Sequence, residues 1–548
     1  MKAVIVSLTS QYIHSSLAPW YLLASVKGKN ADCFVVEGTV NEEFNVLLNR
    51  INDQKADLVA FSCYIWNITT VLSLAPKIKN AKILLGGPEV SYCAEKILKE
   101  NPFVDFVISG EGEKPFTKLL DFLCGKGKLN EIEGLCYRQN KKMVIKAPYV
   151  TEEIPPSPYI KEYFGSLSGR ISYIESSRGC PFSCAFCLSG RCGGVRYFPI
   201  DRTKKEIIAL SNSGSKIIKF VDRTFNSNSI RAREIFEFII ENYEKAFSND
   251  VCFHFEIAGD LLKKEDFALL KKAPKGVIQF EIGMQSFNSE TLSAIYRKTN
   301  IKHLKENIKK LVKMGNIHTH IDLIAGLPKE DYKSFRDSFN TAFYLNADKL
   351  QLGFLKLLYG TPMRENSDDF PIEFLSEPPY EVTKTPWLSS SQISMLHSLE
   401  NALERLVNSG RFSRTVNYLF NEQKRNPFDT LTQIGMFTGN ASIPLNQYVD
   451  SVYHYFEKGS DEKRIRDLLL CDIAESVRST TLPKSLAVED KRLKKFRSFL
   501  EQNETTKKRK GVMRKTFLLY TENCGAYVDY DEKINGKYKV KKIEFDLS

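Results

Sequence analysis

Short apolar runs alternate with amphipathic stretches along much of the chain, and this alternation is the feature that most constrains the fold. In the first block, to about residue 145, apolar runs of strand length occur at Ala3–Leu8, Asp57–Ser62, Lys82–Leu85 and Val104–Ile108. Such runs, separated by stretches with a helical apolar period, are typical of strands that are buried on both faces of a parallel sheet. The pattern therefore predicts a doubly wound α/β domain over residues 1–145.

The alternation is interrupted at Ile154–Pro158, where three prolines indicate a linker over residues 146–164. It resumes over residues 165–375. The predicted strands there are Ile171–Ile174, Lys216–Val221, Val251–Ile257, Val277–Ile282, His318–Ile324 and Lys349–Leu358. Six βα units in series with right-handed crossovers predict a (β/α)6 partial TIM barrel, in which the chemistry lies at the C-terminal ends of the strands.

The last block, residues 376–548, has a different pattern. Helical periods occur at Ser389–Leu406 and Gln447–Glu457, and a strand pair is predicted at Phe517–Tyr520 and Lys537–Phe545. We therefore expect a mainly helical C-terminal domain, and it contains no catalytic motif that we can name.

Composition places the chain among globular proteins. Of 548 residues, 43% are hydrophobic and 26% are charged, which argues against disorder and coiled coil. No apolar run reaches the roughly 18 residues that a membrane span requires. The first residues, Met1–Val6, have the pattern of a strand and not of a secretion signal, so the expected location is the cytoplasm.

The net charge of +12 is concentrated in one segment. Between Lys491 and Lys515 there are eleven Lys or Arg against Glu501 and Glu504. No aromatic-lined sheet or RNA-binding motif accompanies this segment. The sequence therefore favours a solvated helix and loop over a nucleic-acid-binding surface.

Cysteine is the most informative residue type. Three of the twelve cysteines, Cys180, Cys184 and Cys187, have the spacing C-x3-C-x2-C. Three thiolates on one tight loop can bind three corners of a cubane iron–sulfur cluster and leave the fourth iron open to another ligand. A structural zinc site is the alternative, and it would need a fourth ligand, for which Cys192 is a candidate.

The triplet, within Ser177–Cys187, resembles the defining motif of the radical S-adenosylmethionine (SAM) superfamily. The resemblance implies a [4Fe-4S] cluster on Cys180, Cys184 and Cys187, whose free iron binds SAM. It also implies reductive cleavage of SAM to a 5′-deoxyadenosyl radical, which abstracts hydrogen from a substrate in the barrel. An electron donor such as flavodoxin or ferredoxin is an implied partner.

Later strand ends support the same resemblance. Glu281–Ser286 looks like the E-x-G-x-Q-S turn of the family, and Asp322–Pro328 looks like the stretch that packs on adenine. Polar residues also end the second and third predicted strands of the barrel. The candidate SAM contacts are Glu256, Gln285, Ser286, Asp322 and Gly326.

A doubly wound domain directly before such a barrel resembles the Rossmann-like cobalamin-binding (B12-binding) domain of one radical SAM class. The candidate cobalamin contacts are Ser62, Gly86, Gly87, Gly110 and Glu111. The cobalamin-ligating motif D-x-H-x-x-G is absent, because His14 lacks both the Asp and the Gly. The resemblance implies methyl transfer to an unactivated carbon of an unknown small-molecule or peptide substrate. The third block resembles an appended C-terminal domain of unknown function.

Two other functions remain open at this point. A radical SAM tRNA methylthiotransferase would carry a second cluster on three cysteines of the first domain, for which Cys33, Cys63 and Cys93 are the candidates. Their apolar contexts suit buried thiols better than metal ligands. The other alternative is a non-catalytic metal-binding scaffold, which would not cleave SAM.

Overall fold

The computed structural model describes residues 1–28, 31–140, 142–247, 250–478, 481–487, 491–502, 515–534 and 536–545; the side chains of Cys192 and Asp531 are not described. The chain forms two compact units. Unit 1 comprises Met1–Phe335, Leu345–Asp348 and Phe354–Ser389. Unit 2 comprises Arg336–Tyr344, Lys349–Gly353 and Ser390–Ser548.

The first block folds around a seven-stranded sheet. Its strands are β1 (Lys2–Thr9), β2 (Asp32–Thr39), β3 (Leu58–Ser62), β4 (Lys82–Gly86), β5 (Phe106–Ile108), β6 (Leu135–Gln139) and β7 (Lys142–Val144). The strand order is β2-β1-β3-β4-β5-β6-β7. Strands β1 to β5 pair in parallel, and β6 and β7 add in antiparallel orientation.

Helices cover this sheet because its central strands β1, β3 and β4 are buried along most or all of their length. They are α1 (Ala18–Val26), α2 (Phe44–Asn52), α3 (Ile68–Leu74), α4 (Pro88–Ser91), α5 (Ala94–Glu100) and α6 (Glu113–Leu123). Val4 and Val6 pack in a core with α2, α3 and α5 residues, and Ala3 and Ile5 on the other face are also fully buried. The predicted doubly wound domain is confirmed; β2 was not predicted.

The second block contains a six-stranded sheet in the order β15-β14-β13-β12-β11-β8. These strands are β8 (Ser172–Ile174), β11 (Ile217–Phe220), β12 (Cys252–Ile257), β13 (Ile278–Gln285), β14 (His318–Ala325) and β15 (Lys349–Phe354). The intervening helices are α8 (Ile200–Ser211), α9 (Ser229–Asn242), α10 (Lys264–Leu270), α11 (Ser289–Ala294), α12 (Ile301–Met314) and α13 (Tyr332–Phe343). Strands β8 and β15 form the two edges of this sheet, which agrees with the predicted partial barrel.

The smaller elements of this region are α7 (Lys161–Ser166), β9 (Ser177–Gly179), β10 (Val195–Tyr197), α14 (Pro362–Glu365), β16 (Glu373–Phe374) and β17 (Val382–Lys384). The boundaries drawn at residues 145, 165 and 376 stay predictions.

The two faces of the barrel sheet differ in polarity. Phe255 and Phe280 contact Phe236 of helix α9, so one face packs on the helices. Residues at alternate positions point away from α9, and among them Glu281 bonds to His254. The period-2 alternation of β13 therefore gives the sheet an apolar outer face and a polar inner face.

Most of the C-terminal block is helical, as predicted. Its helices are α15 (Ser390–Ala402), α16 (Ser413–Asn417), α17 (Pro427–Thr438), α18 (Leu445–Phe456), α19 (Glu462–Ser476) and α20 (Lys491–Gln502), with π-helical turns at Leu403–Asn408 and Tyr418–Glu422. Three strands form its sheet, β18 (Thr516–Leu519), β19 (Cys524–Ile534) and β20 (Lys537–Glu544). The prediction of a strand pair was incomplete, because it missed the central strand β19.

The first part of the basic segment forms helix α20, which buries Leu493, Phe496 and Leu500. The rest of it, including Lys507–Lys510, lies outside the described residues. Throughout the described part of the chain, every helix is too short or too polar to cross a bilayer.

Candidate functional site

The three clustered cysteines lie on one loop between two short antiparallel strands. Strand β9 leads directly into Cys180, and β10 begins after Cys187. The backbone N–H of Cys187 donates to the carbonyl of Cys184 at 3.0 Å and closes a tight turn. Because β9 follows β8, the loop lies beyond the C-terminal end of a barrel strand, where the sequence predicts the chemistry.

Polar groups from other parts of the barrel contact these thiols. Cys180 Sγ lies 3.4 Å from Thr224 Oγ1, and Arg297 Nη1 donates to Cys184 Sγ at 3.8 Å. Burial raises the pKa of the Cys184 thiol, Arg297 lowers it, and the neighbouring thiols of Cys187 and Cys180 raise it. This coupling indicates that the three sulfur atoms border a common space.

The donor set fits a cubane cluster. The three cysteines are free thiols, and no group of three His, Cys, Asp or Glu within the described residues is arranged to hold a single metal ion. A single zinc ion requires all its thiolates at about 2.3 Å from one centre. A [4Fe-4S] cluster gives each thiolate its own iron and therefore suits a wider spacing. Cys192, the candidate fourth zinc ligand, lies outside the described side chains.

Asp222 anchors the start of the cysteine loop. Its carboxylate accepts hydrogen bonds from Ser176 N at 2.9 Å, Ser176 Oγ at 2.7 Å and Ser177 Oγ at 2.6 Å. Burial raises the pKa of Asp222 to about 6 despite these hydrogen bonds. Asp222 follows β11, so this network ties the end of β11 to the segment that enters the loop.

Arg223 is a residue that the sequence did not single out as a contact. Its side chain is 56% exposed, yet its guanidinium lies 3.7 Å from Glu256 Oε1 and interacts electrostatically with Cys187 and Tyr64. These partners belong to β12, the cysteine loop and the first domain. Arg223 therefore lines a solvent-accessible space between the loop, the barrel and the first sheet. The available sequence signal was its position directly after a barrel strand.

Two of the candidate SAM contacts, Asp322 and Gln285, have buried polar atoms without a hydrogen bond at the strand ends. Burial raises the pKa of Glu256 and of Asp322. Asp322 Oδ1 lies 3.1 Å from His320 Nε2, but neither atom has a hydrogen bond of good geometry. Gln285, with φ +68°, also buries an Oε1 atom that has no hydrogen-bond partner. Orphaned buried polar atoms of this kind fit a polar ligand such as SAM.

The candidates Ser286 and Gly326 have contacts within the chain. Ser286 Oγ donates to Glu330 Oε1 at 2.6 Å and accepts from Asn288 N at 2.9 Å. Gly326 has φ +88°, and a Cβ there would lie 2.6 Å from Val382 Cγ1. Both residues thus shape the turns that carry the other candidates.

The inner face of the barrel sheet carries a charged cluster that the sequence analysis missed. Glu281 Oε2 lies 2.8 Å from His254 Nε2 and 3.1 Å from Lys219 Nζ. Although burial raises it, these two partners lower the pKa of Glu281 to about 2. The sequence feature that could have predicted this cluster is the alternation of polar residues within strands that otherwise appear apolar.

The glycines predicted to approach cobalamin have structural reasons of their own. A Cβ on Gly87, at φ +114°, would lie 2.5 Å from the carbonyl oxygen of Cys63. A Cβ on Gly110, at φ +89°, would lie 2.2 Å from the carbonyl oxygen of Tyr149. Gly86 has no such restriction, since its nearest neighbour is 3.9 Å away. Among these positions, only Gly86 and the buried Ser62, at the ends of β4 and β3, therefore remain candidate cobalamin contacts.

An exposed aromatic surface follows β1 and β3 at the C-terminal edge of the first sheet. Tyr12 is 65% exposed and Trp66 is 48% exposed. The rings of Tyr64 and Trp66 stack at 4.4 Å, and Trp66 Nε1 donates to the carbonyl of Leu8 at 3.2 Å. Exposed apolar groups on a rigid support mark ligand sites, and flat aromatic faces fit a corrin ring.

His14 lies near this surface. Its Nδ1 is 2.8 Å from the hydroxyl of Tyr173, and its backbone bridges to Ile171. Burial lowers the pKa of His14, so the imidazole is neutral at physiological pH. A neutral imidazole is the form that binds a metal.

Of the three cysteines proposed for a second cluster, Cys63 and Cys93 are buried and Cys33 is partly buried. Burial raises the pKa of Cys33 and of Cys93 to about 12, and it also raises the pKa of Cys63. Cys63 is fully buried, and Cys93 Sγ donates to the carbonyl of Glu89 at 3.2 Å. This environment does not fit a set of cluster ligands.

Family models match three segments of the chain. Residues 174–342 match the radical SAM superfamily, which is the segment that carries the cysteine loop and the barrel strands. The chain therefore contains a radical SAM domain. Residues 3–120 match the B12 binding domain, and residues 368–541 match a protein family of unknown function, DUF4080. The predicted family and fold class are confirmed.

Curated relatives of this radical SAM protein include named methyltransferases. It is 29% identical over 323 residues to the 2-(S-pantetheinyl)-carbapenam-3-carboxylate methyltransferase of Streptantibioticus cattleyicolor, covering 52% of this chain and 44% of the relative. It is 27% identical over 443 residues to the cobalamin-dependent radical SAM methyltransferase TokK of Streptomyces tokunonensis, covering 74% of this chain and 60% of TokK. The chain thus spans about half of these two proteins.

Among solved structures, the fold is similar to the cobalamin-dependent S-adenosylmethionine radical enzyme OxsB, solved with aqua-cobalamin and S-adenosylmethionine bound. The TM-score is 0.61 at 13% identity, covering 86% of this chain and 78% of OxsB. This similarity supports the α/β architecture.

Proposed function

We propose that this protein is a cobalamin-dependent radical SAM methyltransferase that acts on an unactivated carbon of a substrate still to be identified. The observation that carries the proposal is the loop of three free thiols at the C-terminal end of a barrel strand. The same loop borders the space lined by Arg223, which also interacts with Tyr64 of the first domain.

When bound, the cluster would supply the electron that cleaves SAM, and cobalamin would supply the methyl carrier. The chain's own residues hold and orient these groups. Cys180, Cys184 and Cys187 are the proposed iron ligands. Thr224 and Arg297 contact two of these sulfur atoms, and the positive charge of Arg297 offsets the negative charge that thiolates would accumulate.

SAM carries a positive sulfonium and a positive ammonium group, and the barrel offers matching negative charge. Glu256 and Asp322 are partly buried carboxyl groups whose pKa values are raised by burial, and the charge of Asp322 raises the pKa of Glu256 further. A cation placed between them would relieve this cost. We therefore assign Glu256, Asp322 and the amide of Gln285 to SAM, with Ser286 and Gly326 shaping the turns.

For cobalamin, the exposed rings of Tyr12 and Trp66 form the proposed surface, together with Gly86 and the buried Ser62 at the ends of β4 and β3. The ring of Trp66 is fixed by its hydrogen bond to Leu8, so it provides a rigid face. We assign the neutral imidazole of His14 to the same surface as the candidate cobalt ligand.

A reduced ferredoxin or flavodoxin is the proposed electron donor, and the cytoplasm is the proposed location. Burial raises the pKa of Cys33, Cys63 and Cys93, so the tRNA methylthiotransferase alternative has no observation in its favour.

The test is anaerobic reconstitution with iron, sulfide and hydroxocobalamin, followed by reduction in the presence of SAM. We expect an iron–sulfur absorption band, corrin retained after desalting, and 5′-deoxyadenosine. Cys184→Ala should abolish 5′-deoxyadenosine and leave the corrin bound. Cys252→Ala is the matched control, because Cys252 begins β12 at the opposite end of the strand from the site.

The outcomes separate the candidate functions. Two clusters per chain without corrin would indicate a methylthiotransferase, and a colourless protein that leaves SAM intact would indicate a metal-binding scaffold. If Cys184→Ala still produced 5′-deoxyadenosine, the assignment of the cluster site would be wrong.

A further inference from the structure

The cysteine loop has a narrow neck, which we define as the paired positions Arg178 in β9 and Arg196 in β10. These two residues lie opposite each other in the antiparallel pair, immediately outside the loop. The three cysteines are therefore enclosed between two arginines, and the position of the neck determines where the loop lies.

One carboxylate of the first domain holds both sides of this neck. Glu111 Oε2 lies 3.0 Å from Arg178 Nη1, and Glu111 Oε1 and Oε2 each lie 2.8 Å from Arg196 Nη2. The three side chains are only 13% to 15% exposed. Charged hydrogen bonds in such an environment are short, directional and poorly screened by solvent.

Other contacts fix the neck further. Arg178 Nε lies 3.0 Å from Glu175 Oε1, and Arg178 Nη2 lies 2.5 Å from Glu113 Oε1. The guanidinium also stacks over the ring of Tyr21, 5.0 Å from its centroid. Every nitrogen of Arg178 thus has a carboxylate partner, and a lysine at this position could not reproduce the arrangement.

Glu111 is itself held on a rigid backbone. Its N–H donates to the carbonyl of Tyr149 at 2.8 Å, and the preceding Gly110 packs so closely on Tyr149 that no side chain fits there. The carboxylate therefore has a defined position at the end of β5, in the domain that matches the B12 binding family.

We propose, given the function proposed above, that Glu111 is a positioning residue that fixes the cluster-bearing loop against the B12-binding domain. Its carboxylate is fully engaged by two arginines and is not available to cobalamin. The separation between the cluster and the corrin is then set at the neck of the loop, and loss of the Glu111 charge displaces the cluster relative to both cofactors.

A second buried ion pair provides a matched control. Arg170 Nη1 lies 3.0 Å from Glu37 Oε2, and it also joins the first domain to the region before β8. Arg170 binds the carbonyls of Tyr12 and His14, but it does not contact the cysteine loop. Glu37→Gln therefore removes an equivalent charge at the same junction without touching the neck.

The experiment compares Glu111→Gln, Glu111→Asp and Glu37→Gln in the full chain after anaerobic reconstitution. We expect Glu111→Gln to retain corrin after desalting, to bind SAM about 10- to 100-fold more weakly, and to change the EPR spectrum that SAM induces in the reduced cluster. Glu111→Asp should restore part of the wild-type spectrum, because it restores the charge. Glu37→Gln should match the wild type in SAM affinity and spectrum.

Two results would overturn the proposal. One is a Glu111→Gln protein whose spectrum and SAM affinity match those of Glu37→Gln. The other is a Glu111→Gln protein that loses corrin while its cluster signal is unchanged, which would make Glu111 a cobalamin contact. If Glu111→Gln fails to fold, Arg196→Gln tests the neck from the loop side, and an unchanged spectrum there has the same meaning.

Different results would contradict the proposed function and the positioning role of Glu111. A wild-type protein that assembles no cluster or forms no 5′-deoxyadenosine contradicts the function. A fully competent wild type together with an unaffected Glu111→Gln contradicts only the role of Glu111.

Discussion

The seven-stranded sheet and the barrel sheet are built from similar βα repeats, but the second faces of their strands differ. In β1 of the first sheet, Ala3, Val4, Ile5 and Val6 are all fully buried, so both faces are apolar. In β13 of the barrel sheet, buried residues alternate with partly exposed ones, and Glu281 lies on the partly exposed face.

This difference distinguishes the first sheet, which supports the fold, from the barrel sheet, whose polar face can take part in chemistry. A sheet with helices on both faces needs apolar side chains throughout, and its ligands can approach only at the strand ends. A partial barrel covers one face with helices and leaves the other around an interior space. Charged residues such as Lys219 and Glu281 can therefore line the barrel without lying on the protein surface.

The largest expected effect comes from the polar face. Glu281→Leu leaves Lys219 and His254 without their shared carboxylate, and breaking a buried ion pair from one side costs about 3 to 5 kcal/mol. Urea unfolding followed by circular dichroism measures this loss. A stability within experimental error of wild type would mean that this face is wet enough to screen the charges, which would weaken the contrast between the sheets.

In the first sheet, a comparable loss of stability requires a substitution that leaves a cavity in the core. Leu85 of β4 is fully buried, so Leu85→Ala should lower the free energy of unfolding by about 2 to 5 kcal/mol. Leu85→Met, which keeps the volume, should cost less than about 1.5 kcal/mol by the same measurement. Equal effects of the two substitutions would contradict the close packing of this sheet.

The pH dependence of stability distinguishes two carboxyl groups of the barrel, Asp222 and Glu281. Because the pKa of Asp222 is raised to about 6, the native state binds a proton that the unfolded state releases near pH 4. Wild-type stability should therefore fall by up to about 2 to 3 kcal/mol as the pH rises from 4 to 6, and Asp222→Asn should lack this pH dependence.

The contribution of Glu281 to the pH dependence of stability has the opposite sign, so Glu281 serves as the control for Asp222. Its pKa of about 2 means that its contribution is present above pH 4.5 and disappears as the pH falls toward 2. Denaturant midpoints measured across pH 2 to 7 for Asp222→Asn and Glu281→Gln test both signs. Parallel curves for the two variants would refute the assigned environments.

The smallest predicted difference concerns two glycines. Gly87→Ala places a Cβ against the backbone of Cys63 at φ +114°, and such strain costs about 1 to 3 kcal/mol. Gly283→Ala meets only the side-chain amide of Gln285, which can rotate away at about 0.5 to 1.5 kcal/mol. Thermal midpoints of the two variants decide the order, and a larger loss for Gly283→Ala would reverse it.

Strand prediction succeeded for most of the apolar strands, although it missed β2, and it failed for β19, which ion pairs support. Strands β1, β3, β4, β8, β11, β12 and β14 lie where the apolar runs predicted them. Strand β19 was missed because its acidic residues interrupt the pattern; in the structure, Asp529 pairs with Lys541 at 2.6 Å and Glu532 with Lys539 at 2.7 Å. Such cross-strand pairs become visible only when both strands are in place.

The residues of the candidate site also differ in how well the sequence predicted their role. The cysteine triplet is local in sequence, so its spacing alone predicted one loop with three thiols. Glu111 was assigned to cobalamin from the glycines around it, whereas its carboxylate contacts Arg178 and Arg196. A contact between residues so far apart in the chain leaves no periodic signal in a single sequence.

By itself, the sequence determined the α/β repeats, the loop of three cysteines and the order of the domains, because apolar periodicity and motif spacing are local properties of the chain. Only the tertiary structure decided which charged side chains meet. Lys219, His254 and Glu281 come together because parallel strands set them side by side, and Glu111 reaches the neck of the loop because the first domain packs on the barrel. Electrostatic partners depend on distance in space, which the order of residues does not encode.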